Sequence, residues 1–235
     1  MTSEMACWAV VPAAGIGRRM GSDIPKQYLR LGGKLVIEHA IESLFASSAV
    51  RGIAVAVAEG DSWWEALRLS IDRPLIRVTG GAERSDSVLN ALRALQDRIC
   101  SNEWVLVHDA ARPCLRRTDL DHLFAELEGD ATGGLLAVPV HDTMKKSNGE
   151  DRVVATVDRD ALLHALTPQM FRYGTLVDAL EVARRESVSI TDEASAMEFL
   201  GHTPKLVEGH GDNVKITRHE DLALAEFYLR QQGRL

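Results

Sequence analysis

Along most of this chain, short runs of β-branched and apolar residues alternate with stretches whose apolar positions recur every three or four residues. Residues 9–11, 53–58, 75–78, 104–107 and 135–140 read as buried strands. Residues 35–45, 62–70, 85–99 and 119–127 read as the helices between them, with Val88, Leu92 and Leu95 marking the apolar face of the third. This β-α-β-α rhythm predicts a mostly parallel, Rossmann-like α/β sheet covered by helices on both faces. After Pro139 the rhythm breaks. Residues 141–160 are largely polar, with a turn signal at Ser147-Asn148-Gly149 and a short run at 153–157, and they predict a hairpin arm projecting from the body. The rhythm resumes with helices at 176–185 and 193–200, a strand at 205–207 and a last helix at 220–230. The expectation is one domain over 1–235 carrying an inserted arm.

Composition narrows the function. The 235 residues are 46% hydrophobic and 26% charged, ordinary for a globular protein with a sizeable core. A formal net charge of −7 argues against a general nucleic-acid surface, so any phosphate site must be a local cluster of cations. The three cysteines, Cys7, Cys100 and Cys114, have neither disulfide-framework nor zinc spacing. The apolar start at 7–14 is short, broken by Pro12 and preceded by Glu4, unlike a secretory signal, and no stretch approaches the ~20 apolar residues of a membrane span. A soluble, cytoplasmic, reduced protein is expected.

The chemistry concentrates where predicted strands end. In open α/β sheets ligands bind beyond the carboxyl ends of the strands, and five of those ends open into glycine, hydroxyl, amide or charged residues. The first is Pro12-Ala13-Ala14-Gly15-Ile16-Gly17-Arg18-Arg19-Met20, followed by Pro25-Lys26-Gln27. Small residues let the backbone approach a polyphosphate, and the cations neutralise it. Met20 occupies the position at which a Walker A loop would carry its second glycine after Gly15, and the third glycine position of a dinucleotide fingerprint, so neither motif is present. The other clusters begin at Gly80-Gly81-Ala82-Glu83-Arg84, His108-Asp109-Ala110-Ala111-Arg112-Pro113, His141-Asp142-Thr143-Met144-Lys145 and Gly209, the last running on to Asp212-Asn213-Val214-Lys215. Each has a plainer reading: Ser85 or Ser87 as a helix cap, His108-Asp109 as a metal ligand pair or a local backbone partner, Lys145 and Lys146 as solvated charge. Thr191-Asp192-Glu193-Ala194-Ser195 reads as a helix start with Thr191 at the N-cap. No G-x-S-x-G elbow and no H-E-x-x-H pair occurs, so the chemistry is charge neutralisation rather than covalent catalysis.

These clusters in this order, with Thr167-Pro168-Gln169 and Asp212-Asn213-Val214-Lys215-Ile216-Thr217, resemble the 2-C-methyl-D-erythritol 4-phosphate cytidylyltransferases of the non-mevalonate isoprenoid pathway. The resemblance spans nearly the whole chain. It implies that a phosphate oxygen of 2-C-methyl-D-erythritol 4-phosphate attacks the α-phosphorus of CTP in line, releasing pyrophosphate. It implies catalytic roles for Arg19, Lys26, Arg159 and Lys215. Ala13, Ala14, Gly15, Gly81, Ala82, Ser87, Asp109 and Ala110 would line the nucleotide pocket. Asp109, Arg112, Thr143, Arg159, Thr167, Thr191 and Lys215 would surround the acceptor. A divalent ion, usually Mg²⁺, would be held chiefly by the CTP phosphates, with no protein ligand named. The arm would cross to a second subunit and complete its site, making a homodimer, and the chain would be monofunctional. Rival expectations are a cytidylyltransferase for another polyol phosphate such as ribitol 5-phosphate, a dinucleotide-dependent oxidoreductase, and a nucleotide sensor that has lost the chemistry.

Overall fold

The computed structural model describes residues 5–15 and 24–235, so Arg19, the first of the cations expected at the phosphates, lies outside the described residues. The chain opens with β1 (Cys7–Pro12), a single 3-10 turn (Lys26–Tyr28) and the short pair β2 (Arg30–Leu31) and β3 (Lys34–Leu35). Next come α1 (Val36–Phe45), β4 (Val50–Val57), β5 (Leu75–Thr79), α2 (Arg84–Arg93), β6 (Trp104–Val107), α3 (Arg117–Leu127) and β7 (Gly133–Pro139). The arm holds β8 (Met144–Ser147) and β9 (Val153–Val157). The chain returns through β10 (Leu163–Arg172), α4 (Tyr173–Arg185), α5 (Glu193–Phe199), β11 (Lys205–Glu208) and α6 (Glu220–Gln231).

Seven of these strands form one sheet in the order β11-β7-β10-β6-β1-β4-β5. β1 pairs in parallel with β4 and β6, β4 with β5, and β7 with β11, whereas β10 runs antiparallel to both β6 and β7. β1 is buried on both faces, as its unbroken apolar run requires. Cys7, Ala9 and Val11 pack with α1 and α3 on one face, and Trp8 and Val10 with α2, α4 and α5 on the other. Trp8 sits beside Gly52 in the register, and a Cβ on Gly52 would fall 2.3 Å from its ring. That glycine is what lets an indole lie flat across the sheet.

Three sequence expectations change. Residues 62–70 do not form a helix. A one-turn 3-10 piece (Trp64–Ala66) is started by the Asp61 carboxylate, which accepts from the N–H groups of Trp63 and Trp64 at 2.9 and 3.2 Å. Beyond it Leu67, Leu69 and Ile71 pack on the core in alternation. The period there is two, not 3.6. The helix expected over 85–99 stops at Arg93, and its later apolar residues Leu95 and Ile99 are buried from turns. β10 went unread because Pro168 interrupts it; the strand accommodates the proline where its pairing with β7 shifts between Ala165 and Gln169.

The arm is the expected hairpin, its strands antiparallel and joined by a turn in which the Asn148 N–H donates to the Arg152 carbonyl at 3.1 Å. It is not polar throughout. Val153 and Val154 on β9 are 65% and 59% exposed, so the arm carries bare apolar surface away from the body. Among the described residues no helix is long and apolar enough to cross a membrane.

Candidate active site

A cleft of about 700 Å³ opens at the carboxyl ends of β1, β5 and β6. Its walls come from four of the five strand-end clusters: Ala13, Ala14 and Gly15 after β1; Gly81 to Arg84 and Ser87 after β5; Asp109 to Ala111 after β6; and Lys215 and Thr217 beyond β11. The cluster after β7 does not join them. It leads into the arm, where Thr143 and Arg159 are exposed and outside the cleft wall, the Arg159 guanidinium bonding the His141 carbonyl.

On the glycine-rich side the backbone is packed tightly. A Cβ on Gly80 would meet the Ala14 Cβ at 2.4 Å, so the two loops touch only because that side chain is missing. Ser87 does not cap α2. Its hydroxyl accepts from the Gly81 N–H at 3.0 Å and donates to the Glu83 carbonyl, holding the second loop in shape. The first loop is held by Gln27, a buried amide whose Nε2 donates to the Ala13 carbonyl at 2.6 Å and the Gly15 carbonyl at 3.1 Å. Lys26, next to it, reaches across to the Ile216 carbonyl at 2.8 Å and thereby joins the first cluster to the last.

Opposite the glycines stands a buried carboxylate among cations. Asp109 Oδ1 accepts from Arg84 Nε at 3.0 Å, and Oδ2 faces Lys215 Nζ at 2.8 Å and Arg112 Nε at 3.5 Å. Burial pushes this carboxyl upward, but the summed attraction of Arg84, Lys215 and Arg112 outweighs it and holds the group far below the usual carboxylate range. Arg112 is itself buried, and NH1 donates to the Asn213 carbonyl at 2.6 Å.

His108 is not a metal ligand here. Its ring is fully buried, and burial lowers its pKa to about 4, so it is neutral near pH 7. Nε2 lies 3.0 Å from the Arg112 carbonyl, which can only accept, so Nε2 carries the proton. Nδ1 then accepts from the Thr167 hydroxyl at 3.0 Å, and that oxygen accepts in turn from the Asp109 N–H at 3.1 Å. Thr167 therefore reaches the site through Asp109 rather than from the cleft wall. Thr191 is exposed and is not the N-cap of α5: Asp192 is, accepting from the Ser195 N–H at 3.0 Å while Ser195 Oγ accepts back from the Asp192 N–H at 3.2 Å. A carboxylate outcompetes a hydroxyl at a helix N-terminus because it also meets the dipole.

A sequence model described as 2-C-methyl-D-erythritol 4-phosphate cytidylyltransferase matches residues 7–231. The chain belongs to that family. It is 53% identical over 228 residues to the Pseudomonas entomophila (strain L48) protein of that name, covering 97% of this chain and 95% of the relative. A relative from Aliivibrio fischeri (strain ATCC 700601 / ES114) is 51% identical over 231 residues, covering 98% of this chain and 97% of its own. Among solved structures, the Francisella tularensis 2-C-methyl-D-erythritol 4-phosphate cytidylyltransferase superposes with a TM-score of 0.83 at 35% identity, covering 95% of this chain and all of that one. The chain is accordingly a nucleotidyltransferase that passes CMP from CTP to 2-C-methyl-D-erythritol 4-phosphate, and these relatives do not favour the ribitol 5-phosphate reading.

Sequence reasoning quoted Gln27 and Glu193 inside motifs without giving either a site role. Gln27 carries no signal beyond its place beside Lys26. Glu193 reads from sequence as an acid matched to a helix dipole, and only the folded chain brings Arg84 against it.

Proposed function

We propose that this cytidylyltransferase works by direct in-line attack, with the glycine-rich side of the cleft holding CTP and the Asp109 side holding the acceptor. The acceptor's phosphate monoester has a second pKa of about 6 and is already largely a dianion at neutral pH, so no general base is required. The barrier is electrostatic: an anion must meet a triphosphate, and charge must be stabilised as pyrophosphate leaves. The observation that carries the reading is the grouping of Lys215, Arg112 and Arg84 on one buried carboxylate at the edge of a cleft whose other wall is bare backbone. On this reading Lys26 and Arg19 face the triphosphate, and Lys215 and Arg159 hold the acceptor phosphate. Arg112 and Asp109 surround the polyol with Thr143 and Thr191, and Thr167 orders Asp109 from behind.

Mg²⁺ enters as part of the nucleotide substrate. Among the described residues no group of three or more His, Cys, Asp or Glu side chains could hold a metal ion, and Asp109 is already shared among three cations. On this reading the cation is held mainly by the CTP phosphates.

The working unit is a homodimer in which each arm completes the partner's site. A lone two-stranded hairpin is marginal in water, and the exposed valines of β9 call for a covering surface. Thr143 and Arg159, exposed and outside the cleft wall of their own subunit, enter the partner's cleft on this reading. Heterodimers of Lys26→Ala and Arg159→Ala subunits test this. A shared site concentrates both lesions in one cleft and leaves the other intact, so up to about half the wild-type activity returns. Verified heterodimers that stay inactive would show that each subunit builds its own site.

A further inference from the structure

Arg84 serves two carboxylates at once. Its Nε lies 3.0 Å from Asp109 Oδ1, while NH1 and NH2 form a fork on Glu193 Oε1 and Oε2 at 2.7 and 3.1 Å. Glu193 is completely buried. It does not itself line the cleft but lies behind Arg84, which does, and no role in the reaction falls to it from sequence. Its position is what matters: Arg84 opens α2, directly after the Gly81-Ala82-Glu83 segment that lines the nucleotide side, and Glu193 opens α5, two residues after Thr191 on the acceptor side. One guanidinium thus clamps the two loops together.

A paired guanidinium fork is planar and directional, so holding two of its nitrogens fixes where the third points. Released from Glu193, Arg84 could swing towards the triphosphate, and Asp109 would lose its closest arginine. Lys215 and Arg112, which lean on the same carboxylate, would then lose their common anchor. We infer that Glu193 is a positioning residue for this reaction: acting through Arg84, it keeps Asp109, and with it Lys215 and Arg112, set for the acceptor phosphate. The inference rests on the proposed assignment of Asp109 and Lys215 to the acceptor.

The test is a kinetic cycle of Glu193→Gln, Arg84→Gln and the double variant, with CTP, Mg²⁺ and 2-C-methyl-D-erythritol 4-phosphate, read by pyrophosphate release. Glu193→Gln is expected to lower kcat and raise the acceptor KM, with a combined loss of about 10–100-fold, the usual cost of removing the partner that orients a working group. CTP affinity by calorimetry should move no more than about twofold, the scatter of independent sites. Glu193→Asp, which keeps the charge, should recover part of the loss. Because Glu193 acts only through Arg84, the double variant should be no slower than the slower single one. If Glu193→Gln does not fold, Glu193→Asp, which keeps a charge against Arg84 but shortens its reach, is read instead and should show a smaller loss of the same kind; wild-type kcat and acceptor KM there would overturn the inference. Multiplying losses, or a folded Glu193→Gln with wild-type kcat and acceptor KM, would overturn the inference. Lys215→Ala in the same assay separates the two layers: a normal acceptor KM there would overturn the site assignment itself, whatever the cycle shows.

Discussion

Replacing Gln27 by methionine keeps the volume of the side chain and deletes both of its hydrogen bonds. The two bonds are not equivalent. Gly15 is exposed, so water takes over at its carbonyl and the net loss there is close to nothing. Ala13 is 3% exposed, and its carbonyl accepts the 2.6 Å bond from Gln27 in the interior. Leaving that acceptor bare costs about 1–3 kcal/mol, the penalty of an unsatisfied buried polar group. For a domain of this size about 1 kcal/mol moves the melting temperature by about 2–4 °C, so a fall of roughly 2–12 °C is expected. The same lesion loosens the chain where it leaves β1 as one wall of the cleft, so, on the proposed placement of CTP there, part of the ordering must then be done by CTP itself. A cost of about 1.4 kcal/mol there corresponds to tenfold weaker CTP binding. Thermal melts with and without CTP, together with calorimetric titration, read both quantities. A Gln27→Met protein that melts within a degree of wild type and binds CTP equally well would show that Gln27 does not brace the loop.

Lys26→Ala should keep the fold and lower kcat by about 10²–10³, the usual loss for one preorganised donor to developing charge; near wild-type turnover at saturating substrates would remove Lys26 from the mechanism. His108 should make the protein acid-sensitive. Burial lowers its pKa from the ordinary 6.5 to about 4, so between those values the unfolded chain binds more protons than the native one and stability falls as the pH drops. The full loss is on the order of 3 kcal/mol, complete below about pH 4, and denaturant titrations should show a flatter profile over pH 6.5–4 for His108→Gln than for wild type.

The alternation of apolar runs made the sheet legible, because parallel strands covered on both sides must be apolar throughout, and the residues just beyond them marked the cleft. β10 was hidden by Pro168, and 62–70 misled because three spaced apolar residues fit an extended strap as well as a helix. The site divided in the same way. Small residues and cations following strands were visible, since approach to phosphate demands them. What orders those groups was not visible, because Gln27, the protonated Nε2 of His108 and the Glu193 fork owe their meaning to partners far away in sequence.

β10 is exposed from Leu163 to Ala165 and buried from Leu166 to Phe171, so a single strand runs out of the arm and into the body behind Asp109, with Thr167 part-way along it. Side chains alternate faces along a strand, so one residue added or lost between 163 and 167 would turn the Thr167 hydroxyl away from His108 and Asp109. The turn at 148–152 obeys no such constraint, since both of its strands end in solvent. Variation in chain length is therefore partitioned within a few dozen residues: the tip of the arm can grow or shrink as its contacts require, while the strand leaving its base must keep count to the residue.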